Sequence, residues 1–321
     1  MDKKHSPRQV EWVDTTRLFG DILIEIAERN EAVVLVTADS FRIAEKFVTR
    51  FPTRSFEVGI AEQNACGFAA GLAFGGKRPF ISAIAPFITG RCYEQIRNDI
   101  VRTGLPVAIA GRGAGMSYST GGPTHNAIDD MGLLRVLPGI TIVDPGDFQD
   151  FRNTMLCAAE LDGPIYFRKH KPLVKQINPE GYVFKLGKGV VLKEGRNVTI
   201  IACGPMVYQA VLAAEILAQR GLSAGIVNMH TIKPIDEDLI SNHASKTDYI
   251  VTVEEHSIYN GLGSAVADVL AQNGKGVRQL KIGLNDEFPT DGPYNEVLDY
   301  HGLTGAKIAE RICALLGNKI G

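Results

Sequence analysis

The stretch TTRLFGDILIEIAERNEAVVLVT, residues 15–37, decides the fold class of this chain. Its first part repeats apolar residues at helical spacing, with Leu18, Ile22 and Ile26 on one face and a threonine at the start to cap the helix. Its last six residues form a short apolar run, which is typical of a strand covered on both faces. A helix followed by such a strand predicts a parallel sheet with helices packed on both sides.

The same alternation extends along nearly the whole chain. Short apolar runs predict further strands at residues 106–110, 140–143, 165–167, 198–202, 224–227 and 249–253, separated by helical segments such as 148–161 and 206–220. The pattern breaks once, in a stretch rich in Lys, Pro and Gly. We therefore predict an α/β fold of two doubly wound domains with mostly parallel sheets. The predicted boundaries are a flexible arm at 1–9, a first domain at 10–170, a linker at 171–189 and a second domain at 190–321.

Composition limits the possible functions of these two domains. The chain has 321 residues, of which 45% are hydrophobic, and its 34 Lys+Arg against 36 Asp+Glu leave a net charge of −2. A chain this apolar is not disordered, and one without a basic block is not built to bind nucleic acid. The charge-free stretches at 64–76 and 79–90 are shorter than the ~20 residues of a membrane span. The polar start and the five scattered cysteines, with no Cys-x-x-Cys pair, favour a cytoplasmic protein without a membrane partner or a zinc ribbon.

A first candidate site residue follows a short predicted strand. Active sites of open parallel sheets lie just beyond the carboxyl ends of the strands. There, VGIAEQN at 58–64 leads into a helix of almost only small and apolar residues, so that Glu62 lies in the first turn of a buried helix. Such an acid commonly complements the helix dipole. Its apolar neighbours would desolvate this one, and we predict that it can hold or share a proton.

The next strand end carries an aromatic residue and two cations. The segment AIAPFITGRCYEQIR, residues 83–97, passes from a strand into a helix and contains Phe87, Arg91, Tyr93 and Arg97. An aromatic residue in this position is usually part of a core. Beside an acid on the neighbouring strand end, it can instead stack on a flat heterocycle.

A glycine-rich loop follows the third strand end. The segment GRGAGMSYSTGGPTHN, residues 111–126, has neither a P-loop nor a complete dinucleotide-binding pattern, but its glycines allow the backbone to approach a ligand closely. His125 closes this loop and is the strongest acid–base candidate among the histidines. Arg168, at the end of another predicted strand, can hold an anionic group or form a structural ion pair.

Together these segments resemble the thiamine diphosphate enzymes of the transketolase type, specifically the half with the pyrimidine-binding and C-terminal domains. The resemblance covers essentially residues 12–316. The segments that carry it are GIAEQN with AAGLA at 59–64 and 69–73, GPTH at 122–125, and TIIACG, NMHTIKP and TVEEHS at 199–204, 228–234 and 252–257. The resemblance implies that Glu62 hydrogen-bonds the aminopyrimidine ring and activates the cofactor.

The resemblance also implies roles for the other candidates. Phe87 would stack on the aminopyrimidine, with Asp39 and Tyr93 as further cofactor-binding residues. His125 would hydrogen-bond the hydroxyl or carbonyl of the donor sugar, and Arg168 would grip the phosphate of a sugar phosphate. The remaining substrate-binding candidates are Arg91 and Arg112.

Two departures from the family pattern matter. No Gly-Asp-Gly motif is present, so we expect this chain to carry no metal ligands and an N-terminal-type partner subunit to hold the cofactor's diphosphate and Mg²⁺, in an α2β2 assembly. Thr120 and Gly121 stand where an acidic pair is usual. Loss of that pair should relax or redirect the choice of sugar. Arg112 and the extra glycines suggest room, or a second anion site, for a branched, shortened or sulfonated ketose, and the donor and acceptor sugars stay open.

The predicted function is the transfer of a two-carbon ketol unit from a ketose to an aldose. Three alternatives remain open: the beta subunit of a 2-oxo acid or acetoin dehydrogenase, a fragment of a 1-deoxyxylulose-phosphate synthase, and a non-catalytic scaffold. In the second domain, Glu254 and Glu255 are not expected to form an acid–base pair, because neighbours on a strand point to opposite faces. His230 and His256 are expected to serve packing.

Overall fold

Strands and helices alternate along the described chain, residues 11–274 and 276–317 of a computed structural model. The predicted arm at 1–9 lies outside the described residues. The strands are β1 Trp12–Asp14, β2 Val33–Thr37, β3 Ser55–Glu57, β4 Arg78–Ile84, β5 Ala108–Arg112, β6 Thr141–Val143, β7 Ile165–Lys169, β8 Pro172–Val174, β9 Val190–Lys193, β10 Val198–Ala202, β11 Ala224–Asn228, β12 Thr231–Lys233, β13 Tyr249–Ser257 and β14 Arg278–Leu284. The helices are α1 Thr15–Arg29, α2 Glu45–Arg50, α3 Glu62–Phe74, α4 Tyr93–Gln95, α5 Asp130–Arg135, α6 Phe148–Glu160, α7 Met206–Gln219, α8 Glu237–Ala244, α9 Leu262–Asn273, α10 Tyr294–Tyr300 and α11 Gly305–Gly317.

The strands form two larger sheets, which confirms the predicted mostly parallel α/β fold. The first sheet has the order β12-β6-β7-β5-β4-β2-β3, and all its neighbours are parallel except β12 and β6. The second has the order β14-β13-β10-β11-β9, with only β9 antiparallel. All five residues of β2 are buried, as its apolar run predicts. The carboxyl ends of β2, β4 and β5 therefore lie side by side at one edge of the first sheet.

The two parts of the chain share more structure than the predicted division implies. Strand β12 comes from the second part but pairs with β6 of the first sheet. The segment between the sheets is also partly ordered as a strand, because β8 pairs antiparallel with β1. Three-residue strands carry too little periodicity to be read from a sequence, and both pairings are therefore absent from the sequence prediction.

Helix α1 shows how the local sequence sets an element. Its apolar face, with Phe19, Leu23 and Ile26, packs into a core that also includes residues of β2. The cap is Asp14, whose carboxylate accepts a hydrogen bond from the backbone N–H of Thr16 at 2.9 Å. The expected threonine cap is wrong, because the Thr15 hydroxyl is buried and donates to the backbone carbonyl of His170, the residue that follows β7. No helix among the described residues is long and apolar enough to cross a membrane.

Candidate active site

Glu62 lies at the base of the site, in the first turn of α3. Strand β3 ends at Glu57, and Gly59, with φ of +72°, turns the chain into the helix. The Glu62 side chain is only 6% exposed, and its Oε2 accepts a hydrogen bond from Arg91 Nη1 at 2.9 Å. Within residues 11–274 and 276–317, no hydrogen bond to Oε1 is recorded. The helix start therefore presents a buried carboxyl with one oxygen available to a ligand.

Phe87 lies on a π-helical turn that follows β4, and it shares a contact with Arg91, the partner of this carboxyl. Its ring is half-buried, and Arg91 lies over it, with 4.4 Å between Cζ and the ring centroid. Its centroid is 5.2 Å from that of His125, at an interplanar angle of 68°. Turns of π-helix are frequent at functional sites. The predicted acid, aromatic ring and histidine are thus brought together, linked through Arg91.

His125 closes the glycine-rich loop, as its sequence predicts, and it is the last residue of a short 3-10 turn, Pro123–His125. Its Nδ1 lies 3.0 Å from the hydroxyl of Thr124. A Cβ added to Gly121 would come within 3.1 Å of the Cβ of His125, so a larger residue there would displace the imidazole. On its other side, the ring of Tyr118 has its centroid 6.4 Å away.

Arg112 extends the site away from the imidazole. Its Nη1 donates to the hydroxyl of Tyr118 at 2.5 Å and its Nη2 to the hydroxyl of Ser40 at 3.2 Å. Its buried Nε has no hydrogen-bond partner within the described part of the chain. Arg112 therefore links the end of β5 to the loop after β2 and keeps one donor uncommitted.

Glu57 organises the loop after β2, and the sequence interpretation missed it. Its carboxylate accepts hydrogen bonds from the hydroxyl of Thr37 at 2.8 Å and from the backbone N–H groups of Asp39 at 2.7 Å, Ser40 at 3.0 Å and Gly59 at 3.0 Å. Asp39 has a left-handed φ of +48° and an exposed side chain. The only available signal was an acid that ends a strand and precedes a glycine turn, which is too common to single out.

Two predicted site residues lie outside this cluster. Tyr93 packs against the core beneath the first sheet, and no recorded contact in the described chain joins it to Glu62 or Phe87. Arg168 is fully buried, and its guanidinium donates to the carboxylates of Asp130 and Asp144. These buried ion pairs favour the structural role of Arg168, one of the two roles that the sequence leaves open, and its contact with a sugar phosphate stays a prediction.

The Arg168 ion pairs lower the pKa values of the two aspartates that they involve. Burial would raise the pKa of Asp144, but the charges of His170 and Arg168 outweigh burial and lower it to about 2. The pKa of Asp130 is lowered for the same reason, by Arg168 acting against burial. His256 lies nearby, and burial lowers its pKa to about 4, so the imidazole is neutral at physiological pH. This histidine packs between the two parts of the chain, where its Nε2 accepts from the backbone N–H of Gly132 at 3.3 Å.

One face of α3 is open beside the site. The face carries Gly67, Phe68, Gly71, Phe74 and Gly75, all of them exposed, and Phe74 is 84% exposed. A Cβ added to Gly71 would meet no atom within 4 Å. Packing within the described residues therefore does not require a glycine at position 71. No group of three or more His, Cys, Asp or Glu side chains that could hold a metal ion occurs among the described residues.

Family models match both parts of the chain. The model of the transketolase pyrimidine-binding domain matches residues 11–176, and that of the transketolase C-terminal domain matches residues 187–308.

Relatives and solved structures agree with these matches. A protein of Methanocaldococcus jannaschii named as a transketolase C-terminal section is 41% identical over 92% of this chain and 93% of its own length. The 6-deoxy-6-sulfo-D-fructose transketolase subunit SqwH of Clostridium sp. is 36% identical over 92% of both chains. The 1-deoxy-D-xylulose-5-phosphate synthase 1 of Geobacter sulfurreducens is 37% identical over 95% of this chain but only 48% of its own. A solved structure described as a split gene transketolase, inactive beta4 tetramer, is 39% identical and has a TM-score of 0.84, covering 93% of this chain and 96% of that one.

Proposed function

Because the chain belongs to the transketolase family, through both its pyrimidine-binding and its C-terminal domain, we propose that it is the C-terminal-type (beta) subunit of a two-subunit transketolase. The enzyme uses thiamine diphosphate to transfer a two-carbon ketol unit from a ketose phosphate, or an unusual ketose, to an aldose. The observation that carries the proposal is the cluster of Glu62, Phe87 and His125 at one edge of the first sheet.

The residues of this cluster fit an aminopyrimidine ring. Such a ring needs a carboxyl at one ring nitrogen and an aromatic side chain against its face. Glu62 Oε1 accepts no hydrogen bond within the described chain, and the half-buried ring of Phe87 is joined to the same carboxyl through Arg91. Arg91 contacts both side chains, so we propose that its exposed guanidinium moves aside when the ring binds. When bound, the thiamine cofactor supplies a nucleophilic carbon for the ketose carbonyl.

The side chains of this chain then have distinct tasks. Glu62 shares a proton with the ring nitrogen, and its burial keeps water from competing for that hydrogen bond. Phe87 fixes the plane of the ring. His125 donates a hydrogen bond to a hydroxyl or carbonyl oxygen of the donor sugar, and Arg112, whose side chain is half-buried at the end of β5, binds an anionic group farther along the substrate. Asp39 lines the cofactor cleft through the loop that Glu57 holds.

A partner subunit completes the site. An N-terminal-type subunit holds the diphosphate and Mg²⁺, since this sequence has no Gly-Asp-Gly motif, and the two subunits form an α2β2 assembly in the cytoplasm. The open face of α3, which begins at Glu62, supports docking of that subunit directly beside the carboxyl. The five free cysteines are consistent with a reducing compartment.

Reconstitution tests the proposal. The chain is assayed for ketol transfer with thiamine diphosphate and Mg²⁺, alone and with its N-terminal-type partner, and we expect turnover only in the mixture. Glu62→Gln should lower kcat by about 10²–10⁴, because it removes an acid–base group. Glu45→Gln is the matched control, since Glu45 also lies in the first turn of a helix but is exposed. Turnover by the chain alone, or full activity of Glu62→Gln, contradicts the proposal.

A second candidate has a specific observation in its favour. The similarity to half of a 1-deoxy-D-xylulose-5-phosphate synthase points to transfer of a two-carbon acetyl unit from pyruvate, in which the bond to the carboxylate breaks and CO2 leaves. The same reconstituted complex is therefore offered pyruvate with an aldose phosphate. Transfer from pyruvate, but not from any ketose, would replace the transketolase proposal with this alternative.

A further inference from the structure

The loop that carries His125 is closed at its base by two backbone hydrogen bonds between Gly115 and Ala127. We call this closed base the neck. The N–H of Gly115 donates to the carbonyl of Ala127 at 3.1 Å, and the N–H of Ala127 donates back at 2.8 Å. His125 lies two residues before Ala127, so the neck fixes the position of the backbone from which the imidazole extends. Whatever fixes Gly115 and Ala127 therefore also fixes His125.

A carboxylate from the C-terminal domain reaches this neck. Glu255 on β13 is fully buried, and its Oε1 accepts a hydrogen bond from the backbone N–H of Met116. Its Oε2 accepts from the hydroxyl of Tyr294 at 2.7 Å. Gly115 has a φ of +61°, and a Cβ there would lie 2.5 Å from Glu255 Oε1, so the loop approaches as closely as glycine allows.

Arg168 grips the opposite side of the same neck. Its Nη2 donates to the carbonyl of Ala127 at 3.0 Å, and its Nη1 donates to the backbone carbonyl of Glu255 at 3.2 Å. A second contact from the C-terminal domain is made farther along the loop, where the N–H of Gly292 donates to the carbonyl of Ser119 at 3.4 Å. The loop is thus held from the second domain, whereas its two ends belong to the first.

We propose that Glu255 is a positioning residue that holds the His125 loop in place for the sugar substrate. Stability alone does not explain a carboxylate at this position, since taking a charge out of water is costly and an apolar residue of similar size commonly serves a core as well. Burial raises the pKa of Glu255, which is the mark of this cost. The inference rests on the proposed contact of His125 with substrate, and it gives the C-terminal domain a part in the reaction.

The neighbouring acid provides a matched control. Glu254 is equally buried, but it points to the opposite face of β13, where its carboxylate accepts from the N–H groups of Leu262 at 2.7 Å and Gly263 at 2.8 Å, at the start of α9. Both variants, Glu255→Gln and Glu254→Gln, replace a buried carboxylate with an amide of the same shape. Only the first changes a contact with the His125 loop.

Hydrogen exchange and kinetics of the two-subunit complex test the proposal. In Glu255→Gln, we expect the amides from Met116 to His125 to exchange about tenfold faster or more. We also expect kcat to fall about 10- to 100-fold, because small displacements of a catalytic group are costly, with the affinity for thiamine diphosphate unchanged. Glu254→Gln should leave loop exchange unaltered. Unchanged loop exchange in Glu255→Gln, or an equal change in Glu254→Gln, overturns the proposal.

A double variant separates positioning from a general structural effect. If Glu255 acts through His125, Glu255→Gln should lower kcat no further in a His125→Ala background, whereas full additivity overturns the proposal. If Glu255→Gln does not assemble, Tyr294→Phe removes a single hydroxyl from the same carboxylate and should also speed loop exchange, and unchanged exchange overturns the proposal. Should the wild-type complex lack ketol transfer, the proposed function fails, but the exchange experiment still decides whether Glu255 holds the loop.

Discussion

Replacing Arg168 with methionine tests whether its guanidinium holds the fold or binds substrate. The guanidinium makes five hydrogen bonds: two to Asp130, and one each to Asp144 and the carbonyls of Ala127 and Glu255. Methionine fills similar space but leaves a fully buried carboxylate without its cation. Breaking such a pair costs about 3–5 kcal/mol of unfolding free energy. At about 2–4 °C per kcal/mol, the melting temperature should fall by roughly 6–20 °C.

Urea unfolding at one fixed protein concentration measures this loss. Arg50→Met is the control, because Arg50 pairs with Glu28 on the surface, where the two side chains are 57% and 46% exposed. Arg50→Met should lower the unfolding free energy by less than about 1 kcal/mol. If Arg168→Met is no more costly than Arg50→Met, but raises the KM of a phosphorylated ketose in the two-subunit complex, the structural reasoning is refuted and Arg168 belongs to the substrate site.

Two further predictions concern assembly and pH. Gly71→Leu replaces a poor helix former at an open position, so the unfolding free energy of the chain should rise by about 0.5–1 kcal/mol. The same substitution should lower the affinity for the partner subunit at least about tenfold, as measured by titration. Unchanged affinity would mean that the partner binds elsewhere. Asp144 binds its proton more weakly in the folded chain, with a pKa of about 2 against an ordinary 3.8, and so contributes about 2 kcal/mol above pH 4 that is lost as the pH falls toward 2. In Asp144→Asn, the urea midpoint should depend less on pH between pH 4 and pH 2. An unaltered slope in that range would contradict the assignment of this pH dependence to Asp144.

The fold class and the centre of the site could be predicted because they depend on local patterns. A strand buried on both faces must be apolar throughout, as in β2, and parallel strands place their carboxyl ends at one edge. Glu62, Phe87 and His125 each follow such an end, and they lie together in the structure. The opposite directions of Glu254 and Glu255 follow from strand geometry alone and are confirmed.

The rest depends on which distant groups meet, and no local pattern encodes that. The local sequence around Arg168 is the same whether its side chain faces a substrate or a core. Its environment depends on Asp130 and Asp144, whose positions follow from the packing of other elements. The roles of Glu57 and Glu255 are hidden for the same reason. Each carboxylate accepts hydrogen bonds from backbone N–H groups, and every non-proline residue offers such a donor.

The pairing of β12 with β6 has a consequence for how the chain is made. A ribosome releases β2 to β7 well before residues 231–233, so the first sheet emerges with the edge of β6 unpaired. An open edge invites pairing with another nascent chain. The first sheet acquires its last strand only when much of the second domain has been synthesised. Cleavage between the two domains would separate β12 from β6, so neither fragment should be expected to behave as an independent folding unit.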